Sequence, residues 1–161
     1  MLWYCVVSSL IFTTNSLAAY LYNQYIVSLL WLGLTITSIL YHMERIHSYY
    51  GTYIFTDTLI EHNKTNTHMQ IVYVFDTIMT WMVIGTVLAL HYTKMMKIRW
   101  STYVIFINIG MFLLLGYVSF VYLYGREIKD YCFHPHSEVA EQFHMTLHIA
   151  ASLSHHLSMG I

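Results

Sequence analysis

The stretch Glu141-Gln-Phe-His-Met-Thr-Leu-His-Ile-Ala-Ala-Ser-Leu-Ser-His-His-Leu-Ser-Met-Gly-Ile161 sets the reading of this chain. It is long enough to cross a bilayer as a helix, yet it carries four histidines. His144 and His148 are four apart, so on a helix their imidazoles share one face, one above the other. Histidine is costly in lipid unless it finds a partner or a ligand. Two earlier stretches offer partners. One is Thr37-Ser-Ile-Leu-Tyr-His42, with Ser38 and His42; the other is Val74-Phe-Asp-Thr-Ile78, with Asp76.

The surroundings of these residues are apolar. The 161-residue chain is 57% hydrophobic and 9% charged, against about 25% charged in ordinary soluble proteins. A soluble domain of this size could not hide so much apolar surface. The reading is an all-α, polytopic transmembrane helix bundle forming a single domain over residues 1–161. A net charge of −1 and the lack of a basic tract exclude nucleic-acid binding. The start, Met1-Leu-Trp-Tyr-Cys5, lacks the basic region of a signal peptide, so the first stretch is expected to stay as a helix.

Hydropathy predicts five spans: Leu2–Tyr22, Tyr25–Met43, Met69–His91, Thr102–Tyr124 and Val139–Ile161. The link between the first two is so short that they must form an antiparallel hairpin. The longest connection, 44–68, is expected either to continue span 2 as a helix or to lie at the interface, where Tyr49, Tyr50, Tyr53 and Phe55 suit the headgroup layer. The 92–100 loop holds Lys94, Lys97 and Arg99 and no acid, so the positive-inside rule puts it in the cytosol. With five spans, the N-terminus is then lumenal or extracellular and the C-terminus cytosolic, in an endomembrane or the plasma membrane. Asn63-Lys-Thr65 is a glycosylation triplet on the lumenal side of this topology.

Span parity then brings the polar residues to one depth. Ser38 and His42 lie near the lumenal end of span 2, Asp76 near the start of span 3, and His144 and His148 near the start of span 5. Three imidazoles plus an open position are the ligand set of a catalytic zinc site. Zinc lowers the pKa of its water to about 7. Asp76 could then orient or deprotonate that water, and the Ser38 hydroxyl could donate to a developing oxyanion. The plainer alternative is that each histidine is a helix–helix hydrogen-bond partner, with Asp76 and Ser38 in similar roles.

This pattern resembles the CREST superfamily of seven-helix membrane zinc hydrolases, which includes alkaline ceramidases, progestin and adipoQ receptors, and the myomaker group. Their motifs are a Ser-x-x-x-His on one helix, an Asp on the next, and a His-x-x-x-His on the last. Here these match Ser38-Ile-Leu-Tyr-His42, Asp76 and His144-Met-Thr-Leu-His148. The Tyr41–His42 pair and Trp81, five after the Asp, resemble the ceramidase and myomaker branches most. The resemblance implies that His42, His144 and His148 hold zinc, with Asp76 and Ser38 as catalytic residues beside it. It implies a lipid amide or ester as substrate, with ceramide-like lipids first. It also allows a non-catalytic, myomaker-like protein with structural zinc, acting in membrane remodelling or fusion. The family core has seven helices and this chain five; losing a helix pair preserves parity. The implied partners are membrane lipids, with a helical partner subunit or a second copy as a further option.

Other features leave alternatives open. Cys5 and Cys132 map to the same side, where a disulfide could clamp span 1 to the loop before span 5. His134-Pro-His136 and Glu138 read as a second metal site or as a solvated loop. His156 with His91 would be the axial pair of a small haem-binding anchor subunit, a third class of function.

Overall fold

The computed structural model describes the backbone of residues 3–54, 59–99 and 101–160, and the side chains of 3–46, 67–99 and 101–160. It is an all-α bundle with no strand among the described residues. The helices are α1 (Tyr4–Ser9), α2 (Ile11–Leu21), α3 (Tyr25–Ile54), α4 (Leu59–Met95), α5 (Thr102–Ser119), α6 (Gly125–Ile128) and α7 (Ser137–Met159). A π-helical segment at Phe120–Tyr124 joins α5 to α6, and a 3-10 turn at Tyr131–Phe133 leads into α7.

α1 and α2 are one span broken by local side-chain chemistry. Ser8 and Ser9 both turn back and donate to the Cys5 carbonyl, at 3.1 and 2.6 Å. Such back-bonding competes with the helical ladder and bends helices. Leu10 accordingly donates its N–H to Val7, three residues back, and α2 begins afresh at Ile11. The α2–α3 hairpin closes on Asn23, whose φ of 58° is left-handed. Asparagine tolerates that region, and the Gln24 N–H reaches back to the Ala19 carbonyl at 2.8 Å.

The longest connection takes the helical alternative. α3 runs on to Ile54 and α4 starts at Leu59, so both helices overrun the expected span ends. Between α6 and α7 the chain turns sharply through Lys129 and Tyr131, each at φ 55°. Gly125 permits the close approach: a Cβ there would stand 2.9 Å from the Asp130 carbonyl oxygen.

α3 packs on α1, α2 and α4, while α7 packs on α1, α2 and α5. The α1–α2 span therefore lies between α3 and α7, and α3 reaches α7 through side chains past it. Phe12, Ala19, Val27, Trp31, Leu34, Val83 and Met159 form the shared core at this junction. At the far end Lys94 donates to the Ser158 carbonyl at 3.3 Å, a cation at the C-terminus of α7. The basic end of α4 thus sits beside the end of α7.

Four helical segments are long and apolar enough to cross a membrane: Tyr4–Leu21, Tyr25–Ile46, Thr67–Met95 and Thr102–Ile128. The expected fifth span, α7, has 23 residues but fails on composition, because Glu138, Glu141, Gln142 and its histidines lower its hydropathy. It is also a heavily enclosed helix. Ala140, Glu141, Leu147, His148, Ala150, Ser152, Ser154, His155, Ser158 and Met159 are all buried. Its buried polar side chains are enclosed by the protein, while Glu138 and Gln142 stay exposed.

Candidate metal centre

The centre is built by two helices. α7 begins at Ser137, and its register places His144 and His148 one turn apart on the face toward α1 and α3. α3 supplies His42, which is 2% exposed. The three rings pack edge to face. Centroids are 4.9 Å apart for His42 and His144, 5.5 Å for His42 and His148, and 5.0 Å for His144 and His148. One nitrogen from each ring lies within 4.8 Å of the others. Tetrahedral zinc at about 2.0–2.1 Å from each nitrogen spaces its ligands roughly 3.4 Å apart, so the three rings would have to close on one another to share an ion.

The residues fit a metal on a second count. His42 Nε2 is fully buried and has no hydrogen-bond partner among the described residues. Buried polar atoms are nearly always satisfied, and a cation shared with the other two imidazoles would satisfy this one. No fourth His, Cys, Asp or Glu of the described residues joins the group.

One hydrogen bond from α1 reaches the centre, and a second ties α1 to α3. His148 Nδ1 and Ser8 Oγ are 2.9 Å apart. Ser9 Oγ and Ser38 Oγ are also 2.9 Å apart. Ser9 has already given its single proton to the Cys5 carbonyl, so Ser38 is the donor in that pair. Ser38 is therefore a tie between α3 and α1, with its proton committed. Beside the triad, Phe12 packs at a tilt against His148, centroids 4.9 Å apart, and against Trp31, 5.3 Å apart. It forms an apolar wall before a second buried polar layer, where Ser152 donates to Asn15 Oδ1 at 2.7 Å.

Asp76 is not one of the grouped ligands. Its Oδ1 accepts a hydrogen bond from Thr37 at 3.1 Å. Thr37 is five residues before His42, which puts it about 140° round α3 from the histidine, on the side that meets α4. Five residues were expected at one depth. The structure brings the three imidazoles together, ties Ser38 to α1 and turns Asp76 toward the α3–α4 contact. Trp81 is 61% exposed on the outer face of α4.

The remaining sequence features resolve as follows. Cys5 and Cys132 are both free and buried, so the disulfide alternative gives way to two thiols. Burial pushes the Cys132 thiol up to about 12. His134 accepts from the His136 backbone N–H at 3.0 Å, and these two form no metal group with Glu138 among the described residues. His91 Nε2 pairs with Asn108 Oδ1 at 2.8 Å, and His156 Nε2 with Thr14 Oγ1 at 3.1 Å. The axial pair of the haem alternative thus has both Nε2 atoms engaged with different helices. The side chains of the Asn63 triplet and of Tyr49, Tyr50 and Tyr53, and Phe55 entirely, lie outside the described residues.

Two residues of this region carried no signal of their own in the sequence. Ser8 looks like any serine at a helix contact. Glu141 looks like an end-of-span acid, yet it is 2% exposed, one turn before His144, with Oε2 unpartnered among the described residues. The spacing Glu141-x-x-His144-x-x-x-His148 was the available clue. No family model, no curated protein and no solved structure matches this chain.

Proposed function

We propose that His42, His144 and His148 hold zinc, and that the protein is a membrane-embedded, zinc-dependent hydrolase of a lipid amide or ester. The single observation that carries this reading is the convergence of three imidazoles, with no fourth protein ligand among the described residues. Three protein ligands and an open position distinguish catalytic from structural zinc sites. Ceramide-like lipids are the first substrates to test, in line with the CREST resemblance. The proposed topology has the N-terminus and the triad on the lumenal or extracellular side and the C-terminus in the cytosol, as the basic 92–100 loop favours.

Bound zinc would supply a Lewis acid and lower the pKa of coordinated water to about 7. The chain's own residues do the rest. The imidazoles must stay neutral to ligate. Phe12 closes one side and keeps the site apart from the second polar layer. Asp76 would have to take the proton on Oδ2, since Oδ1 is held by Thr37 on the α4 side of α3, and Ser38 would donate to an oxyanion only after releasing Ser9.

Those two commitments favour a second reading, in which zinc staples α3 to α7 in a non-catalytic, myomaker-like protein of membrane remodelling. Metal analysis and lipid turnover separate the two. Purified protein in detergent should carry about one zinc per chain under both. Release of fatty acid from ceramide, phospholipid or an acyl ester, reduced about 100-fold or more in Asp76→Asn with zinc retained, supports the hydrolase. Full zinc occupancy with no turnover of any of the three leaves the staple. Absence of zinc sinks both.

A further inference from the structure

We propose that Ser8, on the first helix, is a positioning residue of the metal centre: it selects the Nδ1–H tautomer of His148 and so aims Nε2 at His42 and His144. The inference rests on the triad being a metal site, and it adds α1 to the elements that build it.

The argument follows the protons. Ser8 has one hydroxyl proton, and its Oγ donates to the Cys5 carbonyl at 3.1 Å. Its contact with His148 Nδ1 at 2.9 Å therefore needs a proton from the ring. His148 Nδ1 is the donor, and Nε2 keeps its lone pair. A neutral histidine with its proton fixed on Nδ1 has one nitrogen left to coordinate. The Cys5 carbonyl is the acceptor that the two neighbouring serine hydroxyls share.

Ser9 provides an internal contrast. It bonds the same carbonyl, at 2.6 Å, but receives its second hydrogen bond from Ser38 rather than from an imidazole. Both serines are buried, on adjacent positions of one short helix. A purely packing role predicts similar consequences for removing either. A positioning role predicts that only Ser8 affects the metal.

The test is zinc affinity of the full-length chain in detergent, by competition with a chelator. Ser8→Ala should bind zinc 10–100-fold more weakly than wild type, as loss of an outer-shell partner does. Ser8→Thr, which keeps the hydroxyl, should restore affinity to within about threefold, and Ser9→Ala should leave it there. Wild-type affinity in Ser8→Ala overturns the proposal, as does an equal loss in Ser9→Ala. Failure of the wild type to bind zinc instead removes the metal reading beneath it. A second measurement needs no variant: imidazole nitrogen-15 shifts of His148 in metal-free wild type should report the Nδ1–H tautomer. An Nε2–H tautomer overturns the proposal even if Ser8→Ala does not fold.

Discussion

α4 and α7 have exchanged the roles that composition assigns them. The Thr67–Met95 part of α4 qualifies as a membrane span, yet only 6% of its most apolar window is buried inside the protein. Phe75, Ile78, Trp81 and Met82 point outward. α7 fails the hydropathy criterion, yet it encloses Glu141, His148, Ser152 and His155. The difference follows from the solvent. Lipid is as apolar as leucine, so burying leucine between helices gains little, while a histidine or serine gains much by leaving lipid for a partner. In a bilayer the polar helix moves inside and the apolar one moves out.

The sharpest way to break this comparison is to remove a ligand from the inner helix. His148→Ala should abolish zinc binding, taking the metal-to-protein ratio from about one to near zero by elemental analysis. A chelator should lower the melting midpoint of wild type and leave that of His148→Ala unchanged. The next largest effect should come from putting charge on the outer helix. Ile78→Lys places an ammonium on the outward face of α4, at a cost of about 2.5–3.5 kcal/mol if it lies near the bilayer centre. Reduced membrane insertion in a glycosylation-reporter assay would register it.

Smaller effects sharpen the contrast. Ser152→Ala removes the donor to Asn15 Oδ1 and leaves that oxygen buried, so denaturant unfolding in micelles should show a loss of about 0.6–1.7 kcal/mol. Ile78→Val on α4 should cost under about 0.5 kcal/mol in the same assay, although it deletes a methylene from a larger apolar side chain. Equal losses from the two would mean that α4 is covered rather than lipid-facing. The smallest effect concerns the turn that leads into α7. With its pKa near 12, Cys132 holds almost no thiolate at pH 8, so maleimide should label it far more slowly in the folded chain than after unfolding. Similar rates would show that this turn is open.

Much of this was readable from residue types and spacing. The apolar runs gave the helices, because a bilayer demands about 20 such residues per crossing. The His144–His148 interval and the parity of the spans were enough to bring His42 to the same end of the bundle. Asp76 was harder. Parity gives depth but not azimuth, and the azimuth of Asp76 is decided by its bond to Thr37 on the α4 side of α3. Ser38 meets Ser9, the neighbour of Ser8 on α1, and the sequence has no means of saying where a hydroxyl proton goes. That is decided by Ser9 and the Cys5 carbonyl.

The sequence by itself determined an all-helical membrane protein with three histidines at one depth, since hydropathy and helical period are local quantities. Tertiary structure alone decided which helix is enclosed, which way Asp76 turns and that the first span reaches His148 through Ser8. Those are matters of rotation about helix axes and of proton direction, and both arise only when separate helices meet.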